Sequence, residues 1–516
     1  MSNLQLFQSY RGPRIARANA NNEAGGAAYQ RSPEATLALY ATTGCLNGTF
    51  YADAQTQLDT LVAMCDAVTP AYVAKVALHA RKHAHMKDMP ALLLAYLACR
   101  DGALLEQVFD RVIDNGRMLR NFVQIVRSGV LGRKSLGSRP KRLVTRWLAN
   151  ASNESLMSAA IGEQPSLADV IRMVHPQPQD HEREALYAWL IGKPCAADKL
   201  PPIVREYEAF KANPSGDVPD LPFAYLTAMP LSAKHWKTVA SRSSWQATRM
   251  NLNTFLRKGV FEDAQLVKKI ASRLRDQSAI KRSRVFPYQL MVAYRAAVDS
   301  MPEAILDALQ DAMEVATASV PSLLGNVALA IDVSGSMASP VTGYRRGAST
   351  KVTCVEVAAL MVACIKRGNP KARVIPFADT VRELKLNARD SVLTQAQQMA
   401  RMVGGGTSVS APLAQLNRDG VAPDLVVIVS DNQSWADTRR GGGTETMRQW
   451  AALKARNANA RLVCIDLQPY ATSQAQEASD VTHIGGFSDA VFELLADVAR
   501  GHQERRWVDR IERMDL

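Results

Sequence analysis

The chain reads as two folds in series, an all-α stack of helix pairs followed by an α/β doubly wound sheet. Three observations predict this. Its 516 residues exceed what a single hydrophobic core organises, so at least two domains are expected. From about residue 30 to residue 317, apolar side chains recur at i, i+3, i+4 and i+7, with frequent interruption by Pro, Gly, Asn or Asp. After "TASVPSLLGN" the pattern turns into short, β-branched, nearly continuous apolar runs separated by helical stretches.

In the first region "TQLDTLVAMCDAV", "PAYVAKVALHARKHA", "MPALLLAYLAC", "LEQVFDRVIDN" and "DAQLVKKIASRLRD" each carry one apolar stripe. Helices this short must bury that stripe against neighbours. Antiparallel pairs in series make a HEAT-like solenoid, although the residues show no clean repeat period. Loops are expected at 128–140 and 212–222. In the second region "VALAID", "ARVIPFA", "DLVVIVS" and "RLVCIDL" are strands buried on both faces. The helices between them are "TCVEVAALMVACIKR", "LTQAQQMARM" and "TMRQWAALKARNA", which gives a Rossmann-like parallel sheet. "DTVREL" follows "ARVIPFA" so closely that it is expected to turn back as an antiparallel edge hairpin. "RGHQERRWVDRIERMDL" is an amphipathic terminal helix suited to clasping another part of the protein. The expected boundaries are 1–325 for the helical region, 326–500 for the sheet and 501–516 for the last helix.

With 47% hydrophobic and 22% charged residues the composition is that of a globular protein. The formal charge of +13 is uneven: residues 1–325 carry +10 and residues 326–516 carry +3. Such an excess suits a polyanionic partner, nucleic acid first among them. Seven cysteines stand singly, which argues against a disulfide framework or a zinc ribbon and for a reduced, cytoplasmic setting. The opening residues lack the apolar core of a secretion signal, and no apolar run spans a bilayer.

Chemistry concentrates where strands end. Asp332, Ser334 and Ser336 follow the strand "VALAID"; Thr407 stands behind three glycines in "GGGTS"; Asp431 follows the strand "LVVIV". Doubly wound sheets bind ligands outside the carboxyl ends of their strands. Two carboxylates and three hydroxyls make a hard oxygen site for one divalent cation, Mg²⁺ or Mn²⁺. So sparse a ligand set leaves coordination open to solvent or to an acidic group from a protein partner. The glycines lack the Walker spacing and its Lys, and no Ser–His pairing is suggested, so the hydroxyls read as ligands and the protein as no enzyme.

Between Asn115 and Asn153 there is no acidic residue, while Arg127, Arg133, Lys134, Arg139, Lys141, Arg142 and Arg146 all fall there. The loop "RSGVLGRKSLG", with Ser135, runs into a basic helix, a combination suited to phosphate oxygens. Arg282 and Arg284 belong to a second cluster, "RLRDQSAIKRSRVFPY". His79, His83 and His85 in "HARKHAH" lack the Glu of a zinc-protease helix and read as surface or RNA-facing.

The sheet region, with its metal residues in this order, resembles the von Willebrand factor A domain and its metal-ion-dependent adhesion site. Adhesion-type members usually follow the last Asp with Gly; Asn432 stands there in this chain. The helical region resembles the TROVE module of the Ro autoantigen family in "LALYATTGCLNGTFYADAQTQL", "ALHARKHAHMKDMPALLLAYL", "RSGVLGRKSLG", "IRMVHPQPQDHEREALYAWLIGK" and "SRVFPYQLMVAY". The resemblance implies a HEAT-like ring, RNA contacts at Arg133–Gly137 and around Arg172 and His175, and binding of noncoding, Y-like RNA on a basic outer surface. It also implies that misfolded RNA threads a single-stranded end into the hole, often beside an exoribonuclease. The competing expectation is a metal-dependent protein-interaction scaffold.

Overall fold

The computed structural model describes residues 15–44, 47, 49–162, 165–283, 285–318, 320–344, 352–436, 443–500 and 507–516. The chain divides into two compact units. The helical unit comprises Val68–Val285, Gln289–Val315 and Met514–Leu516; the sheet unit comprises Met1–Ala67, Phe286–Tyr288 and Ala316–Arg513. The first 67 residues, expected in the helical region, therefore belong with the sheet.

The reason lies in three anchors. Strand β1 (Ala20–Asn21) pairs antiparallel with β2 (Ala27–Gln30), and β2 pairs in turn with β7 (Thr472–Ser473). Just beyond β2 the Arg31 guanidinium lies 2.9 Å from Asp466, and both side chains are buried. Helix α1 (Pro33–Thr43) then starts under a Ser32 cap and buries every residue from Ala35 to Thr43. A helix apolar on all sides needs a core around it, and α1 finds one against β8 (Val481–Gly485). The terminal helix Trp507–Glu512 packs on the same two elements, with Trp507 and Ile511 buried. Helix α2 (Ala54–Ala67) completes the segment.

In the helical unit α3 (Pro70–Lys82), α4 (Asp88–Arg100), α5 (Gly102–Val112), α6 (Gly116–Arg127), α7 (Ser138–Asn150), α8 (Asn153–Ala159) and α9 (Leu167–Val174) follow one another closely, and α10 is His181–Leu190. The residues that punctuate the sequence are their N-caps: Thr69, Asp101, Asn115, Ser152, Ser166 and Asp180 each accept a first-turn N–H. Helix α3 packs on α4 and α5, α4 on α5 and α6, α5 on α7, and α6 on α8 and α9. Packing on the next helix but one is what a stack of hairpins requires.

Several polar contacts join helices about one helix pair apart. Arg81 bonds Asp114, Asn121 bonds Asp88, Arg133 bonds the Ala98 carbonyl, Arg142 bonds Glu106, and Trp147 bonds the Ile113 carbonyl. Arg183 with the Leu148 carbonyl, Arg273 with the Ala240 carbonyl and Arg275 with Asp311 continue the series. The partners in these eight bonds lie 33 to 36 residues apart, the length of one helix pair and its turns. Arg133, Arg183 and Arg273 each donate to carbonyls at the carboxyl end of an earlier helix, where four acceptors lack intrahelical partners.

The main sheet is parallel throughout: β3 (Val327–Asp332), β4 (Arg373–Phe377), β5 (Leu425–Ser430), β6 (Arg461–Asp466) and β8, in the order β4-β3-β5-β6-β8. After β3 the chain goes first to one side and then to the other, so the order switches at β3 and β5. Strand β8 escapes an apolar-run reading because Thr482 and His483 interrupt it. The expected edge hairpin at "DTVREL" reduces to a single bridge between Phe377 and Val381. Pro376 has no N–H for a ladder, and only its carbonyl is used, by the Arg382 N–H at 2.8 Å.

Replacing Arg31 with Leu leaves Asp466 charged and buried, with His483 3.6 Å away as the remaining basic neighbour. Urea denaturation is expected to show a loss of about 3–5 kcal/mol for the sheet unit, and adding Asp466→Asn is expected to restore most of it.

Candidate metal centre and nucleic-acid interface

Three loops at the carboxyl end of the sheet bring the five predicted metal residues together. Asp332 ends β3, Asp431 follows β5, and Thr407 lies in the glycine loop between them. Asp332, Ser334, Ser336, Thr407 and Asp431 are each at most 5% exposed. The loops hold one another. The Gly404 N–H donates to the Val333 carbonyl at 2.8 Å, and the Gly335 N–H donates to the Gly405 carbonyl at 3.0 Å. The Thr407 carbonyl accepts from the Trp435 and Ala436 N–H groups and from the Ser434 hydroxyl.

Within this frame Asp332 is well supplied. Its Oδ1 accepts from the Ser334 N–H at 2.8 Å and its Oδ2 from the Ser430 hydroxyl at 2.6 Å. The Ser334 and Ser336 hydroxyl oxygens are 3.3 Å apart. Asp431 is less well supplied: Oδ1 accepts from the Gln433 N–H at 3.3 Å, while buried Oδ2 has no hydrogen-bond partner. Burial, and then the neighbouring Asp332, push Asp431 up to about 7; burial raises Asp332 as well. Two carboxylates in a desolvated pocket, one with an unmatched oxygen, beside three hydroxyls, fit a small divalent cation.

Asn432 takes the place that glycine occupies in adhesion-type sites, and its backbone is left-handed, with φ of 64°. Asn is the side chain that tolerates this region best after Gly. Here it also works as a tie. Its Nδ2 donates to Ser473, and its Oδ1 accepts from the Gln474 N–H at 3.2 Å. These two bonds hold the left-handed turn at Asn432. Ser430, the donor to Asp332, went unmarked in the sequence, although it sits one residue before Asp431 and shares its strand end.

The basic residues divide into committed and available. Arg133 is partly buried and donates to Ala98 O at 2.7 Å; Gly137, against its guanidinium, has a left-handed backbone with φ of 75°, which favours glycine. Arg172 donates to the Ile191 carbonyl at 2.6 Å and faces Asp169 at 3.4 Å. His175 is exposed and ends α9 in the left-handed region, with φ of 50°. Arg139, Arg142 and Arg146 share one face of α7 and meet Glu106 and Asp110 of α5, at distances from 2.7 to 3.9 Å. The acid-free window is thus partly filled by acids from the neighbouring helix. Even so, three guanidinium groups face two carboxylates. Arg127, Lys134, Ser135, Lys141 and Arg282 are exposed. Among the described residues Arg127, Lys134 and Lys141 make no ion pair. Arg284 lies outside the described residues. His79, expected at the surface, is buried, with its ring stacked on His83.

The raised Asp431 has a sign. The folded, cation-free protein keeps a proton there that the unfolded chain has released above the ordinary value of 3.8. This contribution to stability is full below about pH 4 and is lost as pH rises through about 7. A cation replaces the proton, so millimolar Mn²⁺ is expected to raise the melting temperature more at pH 8 than at pH 5. Asp431→Asn is expected to raise the metal-free melting temperature at pH 8 and to abolish the increment. Equal increments at the two pH values would count against the site.

A family model described as the Ro60 vWA domain matches residues 326–499. The chain is 25% identical over 523 residues to the RNA-binding protein RO60 of Deinococcus radiodurans, covering 95% of this chain and 96% of that one. It is 26% identical over 255 residues to the RNA-binding protein RO60 of Caenorhabditis elegans, covering 46% of this chain and 38% of that one. The crystal structure of the Deinococcus radiodurans RO (RSR) protein has the same fold, with a TM-score of 0.62 at 22% identity over 91% of this chain and 100% of that one. Residues 326–499 thus match the Ro60-type A domain, and the chain, a helical region followed by that domain, is similar over nearly its whole length to a Ro protein.

Proposed function

We propose that the protein binds RNA in the Ro manner: a small Y-like RNA, and structured or misfolded noncoding RNA with a single-stranded end. The observation that carries this reading is the likeness, over 95% of the chain, to a protein named for RNA binding. The charge supports it, because residues 1–325 carry +10 against +3 for residues 326–516. So does α7, which begins after Gly137 with no side-chain cap and no acid in its first turn, beside exposed Lys134 and Lys141. Amides, ammonium groups and half-compensated guanidinium forks recognise phosphate without reading bases. Selection then rests on strand state and shape more than on sequence.

The reading extends to RNA quality control in the cytoplasm: structured RNA on an outer basic surface, a single-stranded end in a central hole, and an exoribonuclease as a working partner. Among the described residues no helix is long and apolar enough to cross a membrane. The A domain is a binding module, and the relatives are named for binding, so the protein is not an enzyme. In this proposal Asp332, Ser334, Ser336, Thr407 and Asp431 hold Mg²⁺ or Mn²⁺, which supplies an open coordination position for an acidic group. The chain's own residues keep that position dry and fixed.

Filter binding of an RNA hairpin with a 3′ single-stranded tail, at several salt concentrations, tests the reading. Charge reversal at Lys134, Lys141 and Arg142 is expected to weaken binding and to lower the salt slope by about 0.9 for each phosphate no longer neutralised. Arg133→Met is expected to cost stability, about 1.5–3 kcal/mol, and to leave that slope unchanged. Negligible affinity of the unaltered chain for such RNA would favour the protein-interaction scaffold instead.

A further inference from the structure

The segment between α1 and α2 is bonded into the loop that carries the serines of the metal centre. The Tyr470 hydroxyl lies 3.2 Å from Thr49 Oγ1 and 2.9 Å from Gln468 Oε1. The single Tyr470 proton serves these two acceptors, and the Thr49 hydroxyl donates to the Ala52 carbonyl at 3.4 Å. The Gln468 Nε2 donates to Ser339 Oγ at 3.2 Å, and the Ser339 hydroxyl donates to the Ser336 carbonyl at 2.7 Å. Four consecutive hydrogen bonds thus join Thr49 to the backbone of Ser336. Thr49, Tyr470, Gln468 and Ser339 are all buried, so water does not compete for these bonds. Two further interactions hold the segment. The Asn47 side chain donates to the Thr342 carbonyl at 3.2 Å, and the Tyr51 ring stands edge-on to Tyr470 with centroids 6.0 Å apart. The Tyr51 hydroxyl faces Ser336 itself.

We propose that residues 49–51 are a working part of the cation site: the buried relay fixes the Ser334–Ser336 loop, so cation affinity and docking of this segment are thermodynamically linked. The inference rests on the cation reading above. Tyr470 is a positioning residue in it, acting through Gln468 and Ser339. Because linkage is reciprocal, whatever the docked segment adds to cation affinity, the cation returns to docking. Residues that orient the ligands of a metal commonly govern its affinity by about 10- to 100-fold.

Calorimetric titration of Mn²⁺ into the full chain tests this, together with amide hydrogen exchange. Tyr470→Phe and Thr49→Val, which remove hydroxyls and keep shape, are each expected to weaken Mn²⁺ binding by about tenfold. In the unaltered chain Mn²⁺ is expected to slow exchange at residues 49–53. In metal-free protein both variants are expected to speed exchange at residues 336–339. Variants that bind Mn²⁺ as the unaltered chain does, or that leave exchange at 336–339 unchanged, overturn the proposal. An unaltered chain that takes up no Mn²⁺ overturns the cation reading and the linkage with it. The exchange at 336–339 then reports separately on the relay.

Discussion

Asp332, Asp431 and Asp466 stand at or just beyond the carboxyl ends of three neighbouring strands, each almost wholly buried. Burying three carboxylates side by side is costly unless each is answered, and the sheet unit is arranged around three different answers. Asp332 is met by a hydroxyl and an amide, Asp466 by Arg31, and Asp431 keeps one oxygen unmatched. The loops bonded to one another, the left-handed Asn432 and the N-terminal segment brought across the sheet follow from holding these charges in place.

The helical unit uses charge to solve a different problem. Every helix end leaves carbonyls without partners, and in a stack of short helices those ends are numerous. Arginines one helix pair away meet several of them. A formal excess of +10 therefore overstates what is offered to a polyanion. Guanidinium groups bonded to carbonyls keep their charge, yet their donors are directed inward and their positions are fixed. Around α7, among the described residues, Arg127, Lys134 and Lys141 are exposed and make no ion pair.

Much of this was legible in the residues because the signals were local. Strand ends carrying Asp and Ser, a glycine loop before Thr407 and the alternation of runs pointed to the metal candidates and the parallel sheet; the sheet is present, and the three loops that carry the candidates bond to one another. The misses were interactions across long separations. Nothing near Arg31 announces Asp466, 435 residues later; nothing near Thr49 announces Tyr470, 421 residues later. Composition within a window overstated the bareness of α7, since Glu106 and Asp110 lie just outside it. Arg133 looked like a phosphate ligand because side-chain type says nothing of which carbonyl lies across a groove.

The antiparallel pairing of β2 with β7 joins residues near 30 to residues near 472. A ribosome releases the earlier strand long before it makes the later one. At about 5–20 residues per second, the gap of 435 residues between Arg31 and Asp466 amounts to roughly 20–90 s of synthesis. For that interval α1, which the folded protein buries from Ala35 to Thr43, has no β8 to cover it. The helices of the stack, built on near-neighbour packing, have time to assemble first. The sheet unit can complete its β2–β7 pairing only once residue 473 has been made.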